Sequence, residues 1–263
     1  MKKLIALLAL AILASGCLGN AGTGGAEADE VRDSFIDNEV SSYVYEGETS
    51  YSFGTQGGPT RATTITIEAT INRSARELDA TVDSVTEGAG ERTASNTTTY
   101  LLNGTVYSRT VRDGNSTGWV PFEGDAEVNN TWDARDELRL YEDVLENATV
   151  EHNGTETVRG KQAHRLEVEL GENRTDLLLG KFRESPEFFN QAETRSFVTT
   201  VWITDGGNLL RAETEATMVL RGQQTRSGER DITVDLGLTD SFRYDERTAV
   251  EPPTRLAEAI ESR

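Results

Sequence analysis

Histidine is the side chain whose charge changes most readily near neutral pH, and this 263-residue chain has two, His152 and His164. Both fall in stretches of alternating residues and read as strand positions, with His152 beside Asn153-Gly154 and at the surface. A serine nucleophile needs a base held next to it, and no Gly-X-Ser-X-Gly elbow presents one. A zinc site wants three or four His, Cys or carboxylate ligands, and no such spacing is legible in the sequence. Asp133, Asp136 and Glu137 lie close together, but no Asp-X-Asp-X-Asp-Gly loop accompanies them, and capping of a helix that starts near Asp133 explains them better. No glycine loop leads from a strand into a helix to cradle phosphate. The expectation is a protein that is not an enzyme and carries no cofactor and no metal.

The other reactive residue is the single cysteine, Cys17. Before it stand Lys2 and Lys3, an apolar run from Leu4 to Ala14, and the small residues Ala14-Ser15-Gly16. Such a run is too short to span a bilayer, which needs about twenty residues, so residues 1–16 read as a signal peptide. The stretch resembles the lipobox of secreted lipoproteins, with Ala14 where leucine is commonest. The resemblance implies that Cys17 is lipidated and becomes the first residue of an exported protein held at the outer face of the cell membrane. A two-chain lipid would hold it firmly where a single chain would not. Residues 17–27, rich in glycine and alanine, read as a flexible tether.

Eight asparagines, Asn72, Asn96, Asn103, Asn115, Asn129, Asn147, Asn153 and Asn173, each begin Asn-X-Ser/Thr without proline, the acceptor pattern for N-glycosylation. Random placement would give about two or three. Hairpin turns account for Asn103 and Asn153, and the remaining excess points to an outward-facing glycoprotein. Charge agrees with an exposed existence. The chain carries 26 basic and 45 acidic side chains, a net charge of −19, and its lysines are confined to positions 2, 3, 161 and 181. No basic patch is present to displace counterions, so nucleic acid is excluded as a partner. Acid excess with arginine preferred to lysine suits molar salt, where screening removes the repulsion between carboxylates, and reads as haloarchaeal.

The elements that would position these residues are mostly strands. Ile65, Ile67, Ala69 and Ile71 alternate with polar residues, as do Leu78, Ala80 and Val82; Leu166, Val168 and Leu170; and Ile232, Val234, Leu236 and Leu238. Each run has one apolar and one polar side, as antiparallel strands with one face on a core do. Long strands are predicted over 43–53, 61–72, 76–87, 92–102, 196–204, 208–221 and 229–241, about eleven strands in all. Asn103-Gly104, Asp113-Gly114, Asn153-Gly154 and Asp205-Gly206-Gly207 are predicted to turn hairpins. Val31, Phe35 and Val40 suggest a short opening helix; Trp132, Leu138, Tyr141 and Leu145 a second; and Leu177, Leu178 and Phe182 a third, broken at Pro186. One domain is expected over 28–246, followed by a tail over 247–263 with a short helix-like end.

The order of signal, lipobox, opening helix, antiparallel strands and helices before the last three strands resembles the half-barrel lipoprotein superfamily of LolA, RseB and LppX. The local matches are Val158, Gly160, Ala163 and Leu166-Glu167-Val168, then Val201-Trp202-Ile203-Thr204-Asp205 and Leu209-Leu210-Arg211. The resemblance implies an α+β fold in which a strongly curved antiparallel sheet, a half-open barrel, carries helices across its concave face. It also implies an apolar cavity there for a lipid or other hydrophobic ligand. Ile65, Ile67, Ile71, Val201, Ile203, Val234 and Leu236 are the candidate ligand contacts, though each is also an ordinary core residue, and core is the default role for any single one. The alternative is a surface sensor or scaffold that binds another envelope protein and has no ligand cavity.

Overall fold

The computed structural model describes residues 24–55, 60–170, 192–225, 228–244 and 249–261. Cys17, the signal segment, Asn173 and the expected helix around Leu177, Leu178 and Phe182 lie outside the described residues. Within them, helix α1 (Gly24–Ile36) leads into five long strands, β1 (Ser42–Thr55), β2 (Arg61–Asn72), β3 (Glu77–Gly88), β4 (Glu91–Leu102) and β5 (Thr105–Arg112). Two short strands, β6 (Asn115–Ser116) and β7 (Val120–Glu123), precede helices α2 (Asp125–Asp133) and α3 (Glu137–Glu146). Then come β8 (Ala148–Val158), β9 (Lys161–Leu170), β10 (Glu193–Ile203), β11 (Leu209–Thr225), β12 (Gly228–Arg243) and a last helix, α4 (Thr254–Glu261).

All twelve strands join one open antiparallel sheet in the order β6-β5-β4-β3-β2-β1-β12-β11-β10-β9-β8, with β7 beside β5. Consecutive strands are hairpin neighbours almost throughout, so the fold is α+β with a curved, unclosed sheet. The twelfth strand beyond the expected eleven is accounted for by short pieces such as the two-residue β6, too brief to leave an alternation in sequence.

Alternation sorts the side chains onto two faces. Tyr43, Tyr45, Ile71, Leu78, Leu101 and Val106 point one way, and α1, α2 and α3 lie over them. From α1 come Ala28, Val31 and Phe35, spaced one turn apart, all buried. Val40 lies beyond the end of α1 but packs, partly buried, on the same core. From α2 and α3 come Val128, Trp132, Leu138, Tyr141, Val144 and Leu145. Each fully buried Leu or Val contributes about 1.5–3 kcal/mol relative to exposure.

Two local expectations are corrected. Asn153-Gly154 does not turn a hairpin. It sits inside β8, where the pairing slips from His152 opposite Leu166 to Thr155 opposite His164, and the chain turns instead at Arg159-Gly160, with φ of 50° and 79°. The longer strand lets Val150 pair with Val168 and places Val158 with Ala163, Trp202 and Leu210 in an apolar cluster on the outer face. Asp133 likewise does not start a helix. It ends α2, and α3 begins after Asp136, whose carboxylate makes no capping bond because Tyr43 and Arg73 hold it instead.

Residues 254–261, expected as the end of a tail, form α4 on the outer face, where Leu256 is fully buried against Tyr100, Leu102 and Tyr107. No described helix is long and apolar enough to cross a membrane.

Candidate functional site

The seven candidate ligand contacts all lie on the helix-covered face, but in different surroundings. Ile71, Val201 and Ile203 are fully buried under the helices, and half-buried Ile67 packs beside them. Val234 and Leu236 belong to a second apolar cluster farther along the same face, with Ala216, Met218 and Leu220 buried and Tyr51, Phe53, Phe197 and Ile232 partly exposed. Among the described residues no helix contributes to this second cluster. Tyr51 and Phe53 meet edge to face, with ring centroids 5.4 Å apart. Between the clusters run half-buried Ile65 and a band of threonines whose hydroxyls satisfy one another: Thr199 with Thr214 and Thr63 with Thr86, each at 3.0 Å. These pairs let polar side chains sit on a covered face without unmet hydrogen bonds.

A cavity of about 410 Å³ adjoins the second cluster. Its wall is mainly Ser50, Ser52, Thr64, Thr217 and Asp235, which alternate with Tyr51, Thr63, Ala216 and Leu236 and so belong to the face turned away from the helices. This opening is a groove of mixed lining on the outer face, and so is not the cavity expected beneath the helices.

Under the helices the core holds charge. Asp240 is fully buried and accepts hydrogen bonds from Tyr45 at 2.6 Å and Tyr141 at 2.5 Å, with Phe242 packed against both rings. Asp136 accepts from Tyr43 at 2.9 Å and pairs with Arg73 at 3.0 Å, while Arg73 also grips Glu142 at 2.9 and 3.1 Å. Burial first, and the neighbouring carboxylates second, push the Tyr43, Tyr45 and Tyr141 hydroxyls well above the ordinary tyrosine range. Burial also raises Asp136, against the opposing pull of Arg73. These groups tie α3 and the residue before it to β1, the end of β2 and β12, and so clamp the helix to the sheet.

The histidines are not isolated surface residues. His152 on β8 and His164 on β9 bring ring nitrogens to 3.1 Å, and the two side chains are only 11% and 14% exposed. Glu27, in the first turn of α1, lies 3.6 Å from His152 and 3.8 Å from His164, and Asp205 in the β10–β11 turn accepts from His164 Nε2 at 2.6 Å. Sequence reasoning missed this group because its members come from four separate elements. The only signal available was that both histidines of the chain fall in neighbouring strands.

Of the candidate glycosylation sites, Asn103, Asn115, Asn129, Asn147 and Asn153 are exposed, and Asn72 and Asn96 are half-buried. Asn72 accepts the backbone N–H of Ala75 in the β2–β3 turn at 3.0 Å, and Asn96 donates to Asp83 at 2.9 Å.

No protein-family model and no curated protein matches this chain. Among solved structures it is similar to the Mycobacterium tuberculosis lipoprotein LppX, at 12% identity over 88% of this chain and 100% of that one, with a TM-score of 0.43. A LolA superfamily protein from Nitrosomonas europaea is 8% identical over 87% and 96% of the two chains, with a TM-score of 0.22. The Pseudomonas aeruginosa MucA/MucB complex matches at 11% identity over 83% and 98%, with a TM-score of 0.16. No residue role transfers at such identities, and the architecture stands on the twelve strands themselves.

Proposed function

We propose that the mature chain is an exported lipoprotein, held at the outer face of the membrane by a lipid on Cys17, that binds a lipid or other hydrophobic ligand on the helix-covered face of its sheet. The observation that carries this reading is the second apolar cluster. It lies on the same face as the core but apart from α1, α2 and α3, and its aromatic members Tyr51 and Phe53 stay partly exposed beside Ile65. Partly exposed aromatic and branched side chains gathered on one face form a surface that an apolar ligand can desolvate. The names of the similar structures, a lipoprotein and a LolA superfamily protein, agree with this reading without carrying it. The acidic, lysine-poor composition and the five exposed sequons support a glycosylated exterior adapted to high salt in a haloarchaeal envelope.

The test uses two forms of the protein. Cys17→Ala should be released from the membrane into the medium, and membrane retention of that variant removes the lipid anchor. The released protein, purified without detergent, should carry a lipid in native mass spectrometry and bind a fluorescent fatty acid. Ile65→Asp and Phe53→Asp should weaken that binding about tenfold, roughly the 1.4 kcal/mol that a lost apolar contact supplies. Absence of both co-purified lipid and probe binding would sink the reading.

A second reading, an envelope protein as partner, is favoured by Val120 and Phe122. They stand two residues apart on edge strand β7 and are 38% and 41% exposed. Crosslinking from position 122 that captured one envelope protein, with no lipid found, would select it.

A further inference from the structure

We propose that Glu27, His152 and His164 form a binding site for a divalent transition-metal ion of the zinc class, with Asp205 as the residue that orients His164. One donor atom from each of the three ligands lies within 4.8 Å of the other two. The two imidazole nitrogens that face each other, His152 Nε2 and His164 Nδ1, are 3.1 Å apart. Two nitrogens on a tetrahedral zinc ion, each about 2.0–2.1 Å from it, stand about 3.3 Å apart, so the separation already matches and the rings need only tilt to aim both lone pairs at one ion. Glu27 lies 3.8 Å from His164 Nδ1 and 3.6 Å from His152 Nδ1, the other nitrogen of that ring, and its side chain, 48% exposed in the first turn of α1, changes rotamer to complete the site.

The hydrogen bonds prepare the donors. Asp205 accepts from His164 Nε2 at 2.6 Å, which puts the ring proton there and turns the lone pair of Nδ1 toward His152 and Glu27. A carboxylate on the far nitrogen of a ligating histidine is the usual outer partner of a metal-bound imidazole, and it makes the near nitrogen a better donor. Without a cation the same arrangement is awkward. If His164 Nδ1 is the acceptor, His152 must donate from Nε2, and its neutral ring then turns the Nδ1 lone pair toward Glu27 Oε2 at 3.6 Å. A cation bound between the rings and the carboxylate would turn that contact into a favourable one.

The scaffold also brings the strands and the turn that carry the group together. His152 stands opposite Leu166, two residues from His164 on β9, so both histidines lie on one face, and the slip in β8 at Asn153-Gly154 falls directly after His152. Gly207, with φ of 73°, lets the turn that carries Asp205 press against α1, since a Cβ there would lie 2.1 Å from the Ser34 carbonyl oxygen. Two imidazoles and one carboxylate select zinc, cobalt or nickel over calcium or magnesium, which prefer oxygen donors, and they leave a fourth position for water. Glu27 stands ten residues after Cys17 in sequence, so a bound ion would lock the helix nearest the anchor onto the β8–β9 edge.

The experiment titrates the full chain, first stripped with a chelator, with Zn²⁺ and with Co²⁺ in molar salt containing excess Mg²⁺ to occupy the acidic surface. One ion should bind per chain, Co²⁺ should give the intense visible bands of tetrahedral coordination, and Zn²⁺ should raise the melting temperature. His164→Ala and His152→Ala should abolish binding and the thermal shift, while D205N should weaken binding about 10–100-fold. E27Q, at an exposed position that leaves folding intact by circular dichroism, should weaken binding and remove the tetrahedral cobalt spectrum. The proposal is overturned if the wild-type chain binds no Zn²⁺ in stoichiometric amount, if Mg²⁺ displaces it, or if E27Q binds as the wild type does.

Discussion

The Tyr45 hydroxyl lies over position 47, and a Cβ added to Gly47 would come within 2.1 Å of that oxygen and 2.9 Å of the Asp240 carboxylate. Glycine is needed there because the side chain two residues earlier crosses the backbone to reach a buried acid. Gly47→Ala should therefore destabilise the fold by about 1–3 kcal/mol, the usual cost of overpacking, measured by denaturant unfolding, and a cost below 0.5 kcal/mol would contradict the geometry. The tyrosines give a second prediction. Burial first, then the negative charge of Asp79, pushes Tyr100 up to about 12, and burial places Tyr43, Tyr45 and Tyr141 well above the usual range. A proton held more tightly in the folded state means stability that is complete below the unfolded value of about 10 and falls as pH rises past it. Ultraviolet titration should show these tyrosines ionising together with loss of circular dichroism, and early ionisation in a folded chain would refute it. None of these roles was legible in the sequence. Alternation shows which way a tyrosine points, but the acid that it meets is 195 residues away in the case of Tyr45 and Asp240.

At the scale of elements, strands were more legible than the joints between them. The expected ranges for the long strands match within a few residues because period-two alternation survives wherever one face is buried and the other wet. Turns were harder. Asn103-Gly104 turns a hairpin as expected, whereas Arg159-Gly160 does so with an arginine at positive φ that no propensity would choose. Pairing of Val150 with Val168 outweighs the small cost of that conformation. The last helix shows the same dominance of packing. A short segment of eight residues would not hold as a helix alone, and α4 persists because Leu256 is buried among Tyr100, Leu102 and Tyr107. Leu256→Ala should cost about 2–4 kcal/mol in denaturant unfolding, and a cost under 0.5 kcal/mol would mean that α4 is not docked.

Over the whole molecule, a net charge of −19 spread on an open sheet makes the folded state repel itself when salt is low. The screening length falls from about 10 Å at 0.1 M salt to about 3 Å at 1 M, so the melting temperature should climb across that range. A flat profile would remove salt adaptation as the reason for the composition. What the sequence by itself determined are the properties that composition and short periods encode: the charge, the strands and their buried face, and the seven candidate apolar residues on one side. What only the tertiary structure decided is who meets whom. It separated Ile71, Val201 and Ile203 from Val234 and Leu236 into two clusters, and it gathered Glu27, His152, His164 and Asp205 from a helix, two strands and a turn. The physical reason is range. Alternation and turn preference act over a few residues, whereas strand order and helix docking are set by burying the whole apolar face at once, and sites built across elements follow from that global choice.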